Sequence, residues 1–283
     1  MNIEHLTRIL SAGVSAVCAQ VVVQPLETIK VRIQNDQHNK YTSIIKTVRS
    51  IYYHENIVNL WNGMIPSIIR ELIYSSLRFG LYVPIKTNIK NLFKVDNEVF
   101  IVKLTSGGIS GGISSFVSNP FDLLKCRSQA TIGNTNLVRL AKNIHKHGIR
   151  HFWKGSLATF NRAVILNSVK LSSYDEIKYS IAKLSNLNPS DKKCIIASSF
   201  ITGFIVTCII APIDFARTRY MCSNMNNNKH HIIYKSTLDV LINEPVYRWF
   251  KGFYPQWGRY GPYAVIHFYV WELICKWLGI IAI

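Results

Sequence analysis

Acidic residues are scarce in this chain: 15 Asp and Glu stand against 33 Lys and Arg among 283 residues, a formal charge of +18. From Leu123 to Tyr174 there is no acid at all. A soluble protein this basic ordinarily binds nucleic acid or an anionic surface. Whole stretches, however, lack charge of either sign. Cys194 to Ile213 is a run of twenty uncharged residues, Leu104 to Phe121 is another uncharged stretch, and Leu6 to Leu26 carries only Arg8. About twenty apolar residues are what an α-helix needs to cross the hydrocarbon of a bilayer. The sequence therefore favours a membrane protein and counts against a nucleic-acid partner.

Other absences narrow the class. The six cysteines, Cys18, Cys126, Cys194, Cys208, Cys222 and Cys275, contain no C-x-x-C pair. Most sit in apolar segments, where a free Cys behaves as a small hydrophobe, so neither a disulfide framework nor a metal site is expected. His145, His147 and His151 have no carboxylate or Cys beside them and read as a solvated basic stretch. There is no P-loop and no nucleophile–base pair, which argues against an enzyme. The N-terminus shows neither a basic, Ser-rich presequence nor a cleavable apolar leader, so any address is expected to be internal.

What is present is a repeat. Pro25-Leu-Glu27-Thr-Ile-Lys30-Val-Arg32, Pro120-Phe-Asp122-Leu-Leu-Lys125-Cys-Arg127 and Pro212-Ile-Asp214-Phe-Ala-Arg217-Thr-Arg219 align without gaps. A second pattern keeps step with the first: Leu60-Trp61-Asn62-Gly63, Phe152-Trp153-Lys154-Gly155 and Trp249-Phe250-Lys251-Gly252. The interval is about 95 residues, the mark of a tandem-repeat architecture. Pro inside an apolar helix removes one hydrogen bond and bends the helix, which a membrane tolerates where the bend faces protein. Small residues upstream of each proline, Gly13/Ala16, Gly108/Gly111 and Gly203, suit close approach of neighbouring helices.

P-x-[DE]-x-x-[KR]-x-[KR] followed by aromatic-[KR]-Gly, three times over essentially the whole chain, resembles the mitochondrial carrier family, solute carrier family 25. The resemblance implies an all-α membrane protein with six transmembrane helices in three helical hairpins around a threefold pseudo-axis, each hairpin with a short matrix helix. Repeats are expected at 1–97, 98–189 and 190–283, spans near 6–34, 66–92, 101–129, 157–184, 192–221 and 255–281, and matrix helices near 42–54, 135–147 and 234–243. Basic connections belong on the negative face of a membrane, which for an inner-membrane carrier is the matrix. The resemblance further implies a multi-pass, monomeric mitochondrial inner-membrane protein that binds cardiolipin beside Gly63, Gly155 and Gly252, and has no other cofactor. Asn62 departs from the basic residue expected at the first of these sites.

Charges within a membrane span are costly unless paired or wet, so they are functional candidates. The acid and base of each motif could form a local i,i+3 pair. Pro-bent geometry and threefold repetition favour pairing between repeats instead: Glu27 with Lys125, Asp122 with Arg217, Asp214 with Lys30. This ring would gate the matrix side, with Gln34 and Gln129 as the bracing glutamines of the family and Met221 unable to brace. The opposite gate follows [FY]-[DE]-x-x-[KR] on the even-numbered spans. It is complete only at Tyr174-Asp175-Glu176-Ile177-Lys178. The second span has Val83 for the acid and keeps Lys86; the sixth keeps Glu272 and has Cys275 for the base. Cyclic pairing leaves Glu272 with Lys86, so the cytoplasmic gate is expected to be weak.

Thirteen residues before Val83, Asp175 and Glu272 stand Arg70, Arg162 and Arg259; five before stand Arg78, Lys170 and His267. Eight residues place the two sets about 80° apart on a helix, so both can face one central pocket. Snorkelling at helix ends is the plainer alternative for Arg70 and Arg259, and Glu71 could neutralise Arg70. Five fixed cations and a histidine suit a small multivalent anion, since Arg binds carboxylate or phosphate with two parallel hydrogen bonds. The words around Arg70, Arg162 and Arg259 resemble the oxoglutarate, dicarboxylate and uncoupling-protein branch. That implies alternating-access antiport of a dicarboxylate or oxoacid, in exchange for phosphate or a second dicarboxylate. An uncoupling-type proton or anion leak is the first alternative and nucleotide transport the second. Arg162-Ala163, where nucleotide carriers have a Gly-aliphatic pair, weighs against the latter, and Lys170 is itself a departure from the branch.

Overall fold

The structure is a computed structural model describing residues 3–36, 41–93, 100–133, 135–185, 192–223 and 234–278. Within these, the side chains at 3–10, 12, 79, 93, 100, 101, 103, 104, 167–176, 178, 179, 182, 184, 185, 192, 193, 195, 196, 199, 264 and 268 fall outside the description. All regular structure among the described residues is helical.

Six long helices follow the two-per-repeat plan: α1 (Ile3–Asn35), α3 (Met64–Phe93), α4 (Phe100–Ala130), α6 (Ser156–Ser185), α7 (Lys192–Cys222) and α10 (Phe253–Trp277). Three short ones fall after the odd long helices: α2 (Ile44–His54), α5 (Leu137–Lys146) and α8 (Thr237–Asn243), with a four-residue α9 (Val246–Trp249) beyond the last. Each of α2, α5 and α8 starts where a polar side chain caps it. Ser43 accepts from Lys46 N, Asn136 from Val138 N and Arg139 N, and Ser236 from Asp239 N. These bonds satisfy amide groups that have no partner inside the helix.

Neighbouring long helices pack in a closed ring, α1 on α3, α3 on α4, α4 on α6, α6 on α7, α7 on α10 and α10 on α1. The odd helices α1, α4 and α7 also touch one another. Three equivalent apolar clusters seat the short helices against them. Ile51 joins Ile29, Ile33 and Leu60; Ile144 joins Leu123, Cys126 and Met221; Val240 joins Phe215 and Tyr234. On the outside, Val22, Phe116 and Phe200 are more than half exposed, a surface suited to hydrocarbon. A Cβ on Gly13 would lie 3.7 Å from Leu72 and one on Gly111 3.7 Å from Tyr74, whereas Gly108 faces open space. The tight crossing expected near Gly108 falls instead at Gly112, where a Cβ would overlap the Phe160 ring.

Candidate functional site

Pro25, Pro120 and Pro212 lie inside α1, α4 and α7, and the charged residues of each motif occupy the turns that follow. There the three pairs expected between repeats are in contact, not the local i,i+3 pairs. Lys30 Nζ lies 2.9 Å from Asp214 Oδ2, Arg217 Nη2 lies 3.1 Å from Asp122 Oδ2, and Lys125 reaches Glu27 Oε2. All three acids are buried.

The arginines of the even helices join the same network, which the sequence did not disclose. Arg70 Nε is 3.2 Å from Asp122 Oδ1, Arg162 Nε meets Asp214 Oδ1, and Arg259 Nη1 meets Glu27 Oε1. Every acid therefore holds two cations, one from another repeat's proline motif and one from an even helix. The paired side chains surround a cavity of about 90 Å³. Arg70 also binds Glu71 at 2.7 Å and stacks over Tyr74, and Arg259 stacks over Tyr260. Snorkelling is thus excluded for Arg70 and Arg259. The one available signal was stoichiometric: more cations than acids at positions that must be compensated.

Other sequence candidates lie elsewhere. Arg78 is half-buried and has no ion-pair partner among the described residues. His267 Nδ1 is 3.1 Å from Ser15 Oγ, and its ring stacks on Tyr263. The side chains of Lys170, Asp175 and Lys178 lie outside the described residues. The expected Glu272–Lys86 pair is not formed. Glu272 binds Lys276, one turn along its own helix, at 3.1 Å, with both side chains more than half exposed. A near neighbour on the same helix is always within reach, whereas Lys86 depends on two helices of different repeats converging.

The bracing role expected of Gln34 and Gln129 is also corrected. Among the described residues neither bonds to the ring, and Gln34 Oε1 and Gln129 Nε2 are buried without a hydrogen-bond partner. Their Cγ atoms pack against Gly252 and Gly63, and Met221 packs in the same way against Gly155. These glycines have φ of +78° to +81° and no room for a side chain, which explains their threefold recurrence. The brace comes from Gln20, which donates to Glu27 Oε2 at 2.9 Å and to Gln24 Oε1 at 2.8 Å. Gln24 in turn donates to Asn62 O.

The second base of each motif makes a further layer. Arg32 donates to Gln129 O, Arg127 to Met221 O and Arg219 to Asn35 O, one backbone tie across each repeat boundary, the last displaced by one residue. Arg32 and Arg219 also bind Glu55 and Glu244, the C-caps of α2 and α8. Burial opposes ionisation of both carboxyls, yet hydrogen bonds from Arg32 and Gly133 to Glu55, and from Tyr234 and Arg248 to Glu244, hold them below the usual carboxylate range. The corresponding C-cap of α5 is His147, and Arg127 has no acidic partner among the described residues. Nearby, Lys154 Nζ bonds Ser223 Oγ at 2.6 Å and sits over the Tyr220 ring. Burial, with Arg127 adding, pulls its ammonium down to about 8.

Six helices in three hairpins, closed at the proline end by ion pairs between repeats, define a membrane solute-carrier architecture. A family model described as "Mitochondrial carrier protein" matches residues 2–92, 96–184 and 194–280, one match per repeat. The chain is 32% identical to the "Mitochondrial substrate carrier family protein ucpB" of Dictyostelium discoideum, over 96% of each chain. It is 30% identical to the "Kidney mitochondrial carrier protein 1" of Xenopus laevis, over 93% of this chain and 95% of that one. It is 28% identical to the "Mitochondrial brown fat uncoupling protein 1" of Ovis aries, over 94% and 90%. The chain belongs to the mitochondrial carrier family, whose members are transporters and not enzymes.

Proposed function

We propose that the chain exchanges small dianions, dicarboxylates or oxoacids, across the mitochondrial inner membrane by alternating access. The supporting observation is a charge imbalance. Lys30, Lys125, Arg217, Arg70, Arg162 and Arg259 stand against Glu27, Asp122, Asp214 and Glu71, an excess of two positive charges in one buried network. Uncompensated charge in a membrane interior is costly, so a dianion at this place is favoured by neutrality alone. Arg78 supplies a further half-buried cation on the same helix as Arg70. A dianion that draws Arg70, Arg162 or Arg259 to itself loosens that arginine's hold on a gate acid. Binding then weakens the closed end, the coupling an exchanger requires.

The uptake of labelled dicarboxylates, phosphate, nucleotides and protons by proteoliposomes tests this. Saturable uptake that requires internal dicarboxylate, and is nearly lost in Arg162→Ala, is the expected result. Proton or anion flux without counter-substrate would establish instead the uncoupling-type leak, to which the relative named uncoupling protein 1 points. Cardiolipin is the proposed lipid partner of a monomer. A surface recess of about 520 Å³ lined by Arg150, Lys154 and the start of α6 at Ser156 offers cations and free amide groups to a phosphate.

A further inference from the structure

The Cys126 and Cys222 sulfur atoms lie 3.2 Å apart, on α4 and α7, in two different repeats. Both residues are buried. Their environment is neither random nor threefold. Cys126 stands six residues after Pro120 and Cys222 ten after Pro212; the same positions elsewhere pair Val31 with Ala130 and Thr218 with Asn35. The thiol pair therefore occurs at one of three equivalent boundaries. It is the boundary whose Arg127 lacks the glutamate that Arg32 and Arg219 bind. Arg127 keeps only the backbone tie that all three arginines make, its Nε donating to Met221 O at 3.0 Å.

We propose that Cys126 and Cys222 are an oxidisable dithiol whose disulfide latches repeat 2 to repeat 3 and locks the proline end closed. The separation exceeds the bonded S–S distance by roughly 1.2 Å, so the two sulfurs need approach by only about that much to bond. Cys126 also borders the ion-pair cavity, which gives a small uncharged oxidant a route. The oxidant is a peroxide. One cysteine, as thiolate, attacks a peroxide oxygen, the O–O bond breaks, and hydroxide leaves to take up the proton, giving a sulfenic acid. The other thiol then attacks that sulfur, the S–O bond breaks, and water departs with the second proton. Hydrogen peroxide is reduced to two waters while two thiols become one disulfide.

The mechanical consequence follows from position. Asp122 and Arg217, one gate pair, lie about one turn before Cys126 and Cys222 on the same two helices. Those helices must part for the proline end to open, which rests on the alternating-access reading above. A covalent bond there holds the pair together whatever the substrate does.

The test uses the full chain in detergent and in proteoliposomes, treated with hydrogen peroxide and mapped by peptide mass spectrometry. A linked Cys126–Cys222 peptide lacking two hydrogens is expected, together with a raised thermal midpoint that dithiothreitol reverses. Anion uptake should fall several-fold on oxidation and recover on reduction in the parent, and be unaffected by peroxide in Cys222→Ala. Peroxide that leaves both thiols free, or links them to other cysteines, overturns the proposal. So does a mapped disulfide with unchanged thermal midpoint and unchanged uptake. If no solute is taken up by the reduced parent, the transport reading fails on its own. The latch is then still decided by the linked peptide and by whether oxidation blocks modification of a cysteine placed beyond the ion-pair ring.

Discussion

Asp214 holds Lys30 and Arg162 at once while only 1% exposed, so neutralising it strands two buried cations. Asp214→Asn preserves shape and removes the charge. Breaking a buried ion pair in this way costs about 3–5 kcal/mol. At roughly 2–4 °C per kcal/mol, the thermal midpoint should fall by roughly 6–20 °C. Arg162→Met should cost much less, because Asp214 keeps Lys30. The decisive variant combines the two. With Arg162 gone, the asparagine faces one stranded cation rather than two, so the double variant should be more stable than Asp214→Asn alone. The expected coupling is about 1–3 kcal/mol for groups in direct contact. Tryptophan fluorescence of detergent-purified protein, heated with and without each change, reads all four midpoints. If the losses simply add and the double variant melts first, Arg162 is not held by Asp214, and the shared-acid network is wrong.

Asp122→Lys with Arg217→Asp restores one pair with reversed polarity but sets a lysine against Arg70, since Asp122 binds both arginines. Adding Arg70→Met should therefore raise the midpoint of the exchanged protein; a double exchange as stable as the parent would contradict the geometry. Gly63→Ala and Gly155→Ala both force a side chain into left-handed backbone, about 1–2 kcal/mol of strain each. Gly63→Ala should melt lower, because its Cβ meets the Lys125 carbonyl at 3.0 Å, while at Gly155 the obstacles are side-chain atoms of Met221, which can change rotamer where a backbone carbonyl cannot. Glu244 has a depressed folded-state pKa, so its contribution is complete above the ordinary carboxyl value of 4.5 and is lost as pH falls through the folded value. The midpoint gap between parent and Glu244→Gln should be full at pH 7 and narrow in acid below that value; a gap independent of pH would mean that ionisation of Glu244 contributes nothing.

The helices and the inter-repeat pairs were legible because each is written three times. Repetition converts a weak local signal, an acid three residues before a base, into a statement about symmetry. The runs nearly free of charge upstream of Pro25, Pro120 and Pro212 fix the starts of the odd helices to within a few residues, and the repeated charged motif carries each helix about nine residues further. What sequence could not supply was depth. Counting along α3, α6 and α10 puts Arg70, Arg162 and Arg259 on an inward face but does not say at what height. The packing of the helices decides that height, and the arginines meet Asp122, Asp214 and Glu27. The same limit misplaced Gln34 and Gln129, whose distance from their prolines matched a brace while their side chains pack on Gly252 and Gly63.

Departures from the threefold pattern show how symmetry and specialisation divide the closed end. The backbone ties of Arg32, Arg127 and Arg219 are repeated at all three boundaries and depend only on the position of a carbonyl. The carboxylates above them are not repeated, because Glu55 and Glu244 have His147 as their counterpart. A spare acid 23 and 25 residues after Arg32 and Arg219 was visible in the sequence, but its meaning required seeing the short helix fold back. At the third boundary, ordinary hydrogen bonds from Lys154 to Ser223 and a pair of thiols occupy the corner. A buried ion pair changes strength with the ionisation of its partners, whereas a thiol pair changes strength only when its oxidation state changes. On the proposals above, the boundary between repeats 2 and 3 is therefore the place where the closed end answers to redox chemistry as well as to the transported solute.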